Sequence, residues 1–559
     1  MPSLRGRTQN LRAGMATSIG LVCLFCFVCL AAGGCGRKGD VPATGSAAGS
    51  AAPGGTAVVA LAADPDVLNP LIYSSTIAGI VIAELHDGLA DMDENLSYVP
   101  RIARGWEIAP DGLSITYHLR PWCWSDGAPL AARDVVRSFE LFQDERVASK
   151  RRGLYRDVAK AVAVDDSTVR YDLLRAVPNP VQATWHHIVP WHVVGELDPA
   201  TVADWPINRQ PLSSGEFTLE SWAPNRELVL VRNPHYPGKP ALLSRVVFRI
   251  VPEEATRLLM LETGEVDLAD GVQPAAAARL SARGDLRLVA SGGRSIYHLQ
   301  WNCLNPAFAD AGTRRALSLA IDRGRLISAL VVGHGHPAVG PIPPALWNHH
   351  RGLAAPACDP AEARRLLAEA GWRDADGDGV LDRDGRPLRF EILTRSGDPV
   401  REQGVVILRE NFAAVGAAVE VRAMESLAGQ ARAREGLFDA YFGLFNANLY
   451  GNPAPYVRST ATSEYNLGHY ANATVDSLLD VALGLGDRTA ALPVWQRLQE
   501  VLAEDPPAAF LFYPDNLVAI NARLHDVRPH LLSPVNNLAE WWIAPADRRG
   551  ADGGGSAER

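Results

Sequence analysis

From Gly105 the sequence runs in short alternating segments, WEIAPDGLSITYHLRPWCW, with Asp111-Gly112 set between two strand-like halves. Asp-Gly between alternating runs predicts a tight β-hairpin, because the turn needs residues that tolerate positive φ. AVAVDDSTVRYDLL repeats the device around Asp165-Asp166-Ser167, and FTLESWAPNRELVLVRN repeats it around Pro224-Asn225. Antiparallel sheet follows. Upstream, the apolar run Ala57 to Ala63 is broken by DPDVLNP and followed by Ile77 to Leu89, where Ile80, Ile82, Leu85 and Leu89 have helical spacing. Strand, loop and helix in that order open an α/β lobe.

Downstream the chain is richer in helices, expected over Thr313 to Val331, Asp359 to Gly371 and Arg401 to Gly416. The second has an Asp N-cap, Pro at its first position and a terminal glycine. The third leads into the strand-like AVEVRAM, so a second α/β lobe is expected. No internal repeat of fixed period occurs.

The first twelve residues carry Arg5, Arg7 and Arg12 and no acid, and from Ile19 an apolar run leads to Gly33, Gly34 and Cys35. That is the pattern of a secretory signal. The run is short for a membrane-spanning helix, which needs about 20 apolar residues. Val41 to Thr56, rich in Gly, Ala and Ser, has no apolar periodicity and reads as a flexible tether. Three of the seven cysteines, Cys23, Cys26 and Cys29, lie before Cys35, itself the fourth. Cys123, Cys303 and Cys358 remain, an odd number without CxxC-type spacing, which implies neither a disulfide framework nor a zinc site. Loss of the three leader arginines moves the formal charge below the −9 of the full chain. An acidic body argues against nucleic acid as a partner.

There is no GxSxG, HExxH or P-loop motif, and no GxGxxG opening a helix. Asp374, Asp376, Asp378 and Asp382 have the oxygen spacing of a calcium loop, but Gly385 stands where a bidentate glutamate belongs. The segment reads as a solvated Asp-Gly turn, with weak structural calcium as the lesser alternative. Adjacent histidines such as His186-His187 and His349-His350 point to opposite faces of a strand and do not chelate together. No metal and no cofactor is therefore expected. Trp122 to Asp134 reads as fold chemistry: Ser125-Asp126-Gly127 is a turn and Asp134 opens a helix.

The residues that follow resemble those of a known family, the large solute-binding proteins of peptide and nickel ABC importers, bacterial extracellular solute-binding protein family 5. The likeness begins at Leu68-Asn69-Pro70, continues through Glu84 to Leu89, and is densest over WEIAPDGLSITYHLRPWCWSDGAPLAARDVV. Asn233-Pro234-His235-Tyr236, Leu261 to Asp267, Arg314 to Leu317 and Ala320 to Arg323 extend it in order. Ala32-Gly33-Gly34-Cys35 likewise resembles a lipobox, with Ala32 where leucine is usual. This implies cleavage before Cys35 and lipidation of its thiol.

The resemblance implies an α/β, two-lobed periplasmic-binding-protein fold (type II) with an additional sheet-rich subdomain on the first lobe. It implies a signal peptide over 1–34, a lipidated tether over 35–56, the first lobe over 57–104 and 205–294, the extra subdomain over 105–204, and the second lobe over 295–514. Residues 515–545 would return to the first lobe and 546–559 would be a disordered tail. The implied protein is a monomer outside the cytoplasm, in the periplasm or on the outer face of the envelope. It would be anchored at Cys35 and would deliver a peptide-like solute to an ABC permease and its ATPases. An exported sensor or chaperone without an importer, or a binder of a metal chelate or oligosaccharide, is the alternative.

Ligand contacts in an interlobe cleft come from apolar and aromatic walls with a few placed polar groups. The candidates by position are Tyr73, Ser74, Ser75, Thr76, Ser213, Ser214, Trp301, Asn302, Phe445, Asn446, Asn448 and Tyr450. In peptide-binding relatives the stretch before Pro453 supplies an aspartate for the peptide's α-amino group, and Leu449 stands at that place. Either another acid serves, or Asn446 or Asn448 accepts hydrogen bonds, or the ligand has no free amine.

Overall fold

The computed structural model describes residues 51–462 and 465–549. The signal peptide, Cys35 and most of the expected tether lie outside the described residues. No helix among the described residues is long and apolar enough to cross a membrane.

The strand Thr56–Leu61 occupies the middle of a seven-stranded sheet. Ala57, Val59 and Leu61 pack into one core, while Val58 and Ala60 pack into another on the opposite face. A strand buried on both faces must be apolar throughout, which is why AVVAL does not alternate. It pairs in parallel with Arg245–Ile250 and Leu268–Asp270. The hairpin around Pro224-Asn225 forms as expected from Phe217–Ala223 and Glu227–Arg232 and extends this sheet. Asn516–Asn521 and Leu286–Ser291 complete the other edge.

A separate four-stranded antiparallel sheet contains the other two expected hairpins, in the order Ala103–Ile108, Ser114–Leu119, Thr168–Leu173, Val158–Asp165. Asp134 serves the architecture, since its carboxylate accepts from the backbone N–H groups of Ala131 and Trp191, each within 3 Å. Trp122 likewise donates its indole N–H to the Ser214 carbonyl at 2.9 Å.

The third sheet has six strands, with Ser295–Trp301 between Ala440–Asn446 and Ala508–Pro514. Arg389–Arg395 lies parallel to both Ala440–Asn446 and Ala418–Met424. Its helices start where their caps dictate: Asp359 and Asp398 accept from the first-turn N–H groups of Pro360–Glu369 and Pro399–Ala413. The single helix expected over Thr313 to Val331 is instead two, Ala311–Leu319 and Arg323–Leu330. Asp322 breaks it by accepting from the Arg325 N–H as a new N-cap, a local bond that competes with helix continuation.

The chain passes between the seven- and six-stranded sheets twice. Leu286–Ser291 leads into Ser295–Trp301 through Gly292, Gly293 and Arg294, and Ala508–Pro514 leads into Asn516–Asn521 through Asp515 alone. Both ends of the described chain are held more tightly than the sequence implied. Gly54 N–H bonds the Leu242 carbonyl at 2.7 Å, so order begins before Thr56. Pro545–Asp547 forms a short 3-10 helix where a disordered tail was expected, and Arg548 bonds the Ala52 carbonyl at 2.7 Å. Long-range hydrogen bonds of this kind leave no trace in local composition.

Candidate functional site

On the first-lobe side the segment after the opening strand is fixed by Asp66. Its carboxylate accepts from the hydroxyls of Ser74 at 2.8 Å and Ser75 at 3.0 Å, and from the Ser74 N–H. Burial works to raise the Asp66 pKa, but the bonds from Ser74, Val67 and Ser75 outweigh it and bring the carboxyl down to about 2. Ser75 also caps the helix Thr76–Leu85, accepting from the Ala78 N–H at 2.9 Å. Tyr73 lies under the Arg151 guanidinium, 3.4 Å from its ring centroid, and Arg151 donates to the Tyr73 carbonyl at 2.8 Å. Ser74 and Thr76 remain exposed.

On the opposite side the loop after Ala440–Asn446 is built by its own amides. Asn448 Oδ1 accepts from the N–H groups of Tyr450 and Asn452, and Asn446 Oδ1 accepts from the Ser295 hydroxyl at 2.7 Å beside the first crossing. Tyr450 is thereby carried out of the second lobe, 42 % exposed, to the hydroxyl of Tyr98 in the first. Burial raises the Tyr98 hydroxyl pKa, and Tyr450 adds to the effect. Nearby, the turn between Ala90–Met92 and Tyr98–Pro100 inserts Leu96 into the second-lobe core. Arg488 clasps the turn, donating to the carbonyls of Asn95 and Leu96 and to the Ser97 hydroxyl. The two sides therefore meet through Tyr98, Tyr450, Leu96 and Arg488.

Beside Phe445 the second lobe holds a cavity of about 500 Å³ under the helix Ser426–Arg434. Phe445 packs against Tyr456 and Tyr465 at ring distances of 4.9 and 5.4 Å. His298 in the same wall is held neutral, its pKa lowered to about 3 by burial against the opposing effect of the Ile296 carbonyl, with Arg401 lowering it further. Gln300, Arg395, Tyr441 and Tyr465 also line this cavity and were not singled out from sequence. They come from four separate segments, and only alternation along the strand Ser295–Trp301 hinted that His298 and Gln300 share a face.

Four candidates have other roles. Trp301 is fully buried among Phe308, Phe390 and Phe412, facing the helices rather than the cavity. Asn302 donates to the carbonyls of Gly436 and Phe438, closing a loop within the second lobe. Ser214 accepts from the Asp87 N–H at 2.9 Å, and the Ser213 backbone pairs with Ser125. Both serines are fully buried. These placements follow from strand parity and long-range packing. Asp374, Asp376 and Asp382 do converge, with carboxylate oxygens within 4.8 Å of one another. Asp374 and Asp376 accept from backbone N–H groups of their own turn, the arrangement of a solvated Asp-Gly loop.

Two sheets joined by two short crossings, with aromatic residues meeting between them, define the class of two-lobed periplasmic binding proteins. The chain belongs to the bacterial extracellular solute-binding proteins, family 5, which it matches over residues 97–467. It is similar to the oligopeptide-binding protein AppA of Bacillus subtilis (strain 168), with 26% identity over 522 residues covering 91% of this chain and 95% of AppA. The glutathione-binding protein GsiB of Salmonella typhimurium is 25% identical over 497 residues, covering 87% of this chain and 92% of GsiB. The solved structure of AppA from Bacillus subtilis in complex with a nonapeptide superimposes with a TM-score of 0.66 at 25% identity, covering 88% of this chain and 99% of that one. These relatives bind substrates, and the family is extracellular, as the sequence implied.

Proposed function

We propose that this protein is the solute-binding component of an ABC importer, capturing a peptide or peptide-like solute between its lobes and handing it to a membrane permease driven by cytoplasmic ATPases. The observation that carries the reading is the pair of short crossings at residues 292–294 and 515, together with the meeting of Tyr98 from the first lobe and Tyr450 from the second. Paired crossings favour rotation of one lobe against the other. A solute touching both walls stabilises the closed form because only that form makes both sets of contacts. The exposed Ser74 and Thr76 and the loop at Asn446 and Asn448 supply polar contacts at the rim, and the aromatic residues cover the solute. A monomeric body tethered through lipidated Cys35 stays near its permease, with the four-stranded sheet riding on the first lobe. The protein itself performs no chemistry.

Mass spectrometry of small molecules released by denaturing the purified mature protein tests the assignment. Free peptides are expected; recovery of sugars, lipids or a metal chelate instead overturns it. Crosslinking in intact cells should retrieve permease and ATPase subunits, and their absence favours an exported sensor. Cys35→Ala should move the protein from the membrane fraction to the soluble one.

A further inference from the structure

The hairpin formed by Ala90–Met92 and Tyr98–Pro100 is held on the first-lobe side at its base. Trp185 donates its indole N–H to the Ala90 carbonyl at 2.8 Å, and Arg101, directly after the hairpin, pairs with Asp87 at 2.8 Å and with Glu216. The tip is a firm turn built by Asp93, whose Oδ1 accepts from the N–H groups of Asn95 and Ser97 at 2.9 and 2.8 Å. Leu96 closes that turn, its own N–H bonding the Asp93 carbonyl at 2.9 Å.

Leucine is a poor residue for this place. The Leu96 φ is 59°, in the left-handed region that glycine and asparagine visit routinely and bulkier residues do not. The turn gains nothing from a leucine there. What Leu96 supplies is its side chain, 1 % exposed and packed in the second-lobe core, with Met92 against the same cluster. Backbone strain kept for a distant contact points to a role for that contact. Arg488, the first residue of the helix Arg488–Glu504, grips the same tip. Its Nη1 donates to the Asn95 carbonyl at 3.0 Å and the Ser97 hydroxyl at 3.1 Å, and its Nη2 to the Leu96 carbonyl. The guanidinium also lies 5.0 Å from the Trp347 ring centroid. Glu94, on the same tip, pairs instead with Arg528 of the returning first-lobe segment at 3.1 Å. Knob and socket thus come from different lobes.

We infer that this hairpin is a latch on lobe opening, with Leu96 as a knob seated in the second lobe and Arg488 as the catch that holds it there. Rotation that separates the lobes about residues 292–294 and 515 withdraws Leu96 from its socket and breaks the three Arg488 contacts together. Closure is therefore favoured before a solute arrives, and the solute adds its contacts to a shape already populated. The latch rests on lobe rotation, as the solute-binding reading does, but on no particular solute.

Small-angle X-ray scattering tests this on wild type, Leu96→Gly and Arg488→Gln, each refolded from denaturant to remove any carried-over solute. Glycine adopts the left-handed conformation without strain, so Leu96→Gly removes the knob and spares the turn. Both variants should keep the wild-type circular dichroism. Each is expected to show a radius of gyration larger by about 1 Å or more, against roughly 23 Å for a compact chain of about 500 residues. Equal radii in the three proteins, or smaller radii in the variants, overturn the latch and leave the solute-binding reading standing. If Leu96→Gly does not fold, Arg488→Gln decides alone: an expanded radius with wild-type circular dichroism supports the latch, and a wild-type radius overturns it.

Discussion

Asp267 is the residue whose removal should most weaken the first lobe. Its side chain has no exposed surface and accepts the Val58 N–H at 2.8 Å and two N–H groups of Arg523 at 2.7 and 2.6 Å. Arg549 adds a contact at 3.2 Å. One carboxylate therefore joins the opening strand, the returning C-terminal strand and the segment beyond it. Asp267→Ala leaves Arg523, 11 % exposed at its side chain, without an anion, although it keeps the carbonyls of Thr56 and Asp547. Breaking one side of a buried pair costs about 3–5 kcal/mol, and the orphaned Val58 donor accounts for about 1–3 of that. The two carbonyls left to Arg523 place the expected loss near the lower end, about 3–4 kcal/mol. Urea denaturation followed by tryptophan fluorescence measures it as a shift of the first unfolding transition, since a chain of this size need not unfold in one step. Asp267→Asn, which keeps an acceptor for Val58, should lose less. A loss below about 1 kcal/mol, the value of a surface ion pair, refutes the reasoning, as does full additivity between Asp267→Ala and Arg523→Ala.

Trp301→Ala should destabilise the second lobe by about 3–5 kcal/mol through the cavity it leaves. Solute affinity at temperatures where the variant stays folded should be nearly unchanged; a selective loss of affinity returns Trp301 to the binding wall. Tyr450→Ala should weaken binding of the recovered solute about tenfold or more by removing a residue that spans both lobes, and calorimetry showing wild-type affinity contradicts the closure geometry. His186 is held at about 4 by burial, against the His187 carbonyl that opposes the shift. The unfolded chain then binds this proton and the folded one does not between about pH 4 and 6.5, so its contribution to stability falls as pH drops through that window. At about 1.4 kcal/mol per pH unit, His186→Gln should gain about 3 kcal/mol on wild type between pH 6.5 and 4. Parallel stability-against-pH curves for the two proteins count against a neutral buried His186.

The local devices were legible in the sequence because each acts over a few residues. Asp-Gly and Asp-Asp-Ser turns set hairpins between their own flanking strands, and Asp359 caps the helix that begins beside it. The long run of matching segments also fixed the family, and with it the two-lobed fold. The binding wall was a different matter. Tyr73, Phe445 and Tyr450 were candidates by their position along the chain, and so were Trp301 and Asn302, which the fold buries in structural roles. Position along the chain does not say which face of a strand meets a cavity.

Tertiary structure decided the rest. Gln300, Arg395, Arg434 and Tyr465 converge on one cavity from distant segments, and each alone is an ordinary polar or aromatic residue. The same is true of Asp267, which was visible only as part of a matching motif and proved to join the strand Thr56–Leu61 to Arg523 and Arg549. Turn and cap chemistry is short-ranged, so sequence alone determined it. Burial, unpartnered polar atoms and the balance of charge in a cleft depend on residues brought together from far apart, and only the folded chain fixes them.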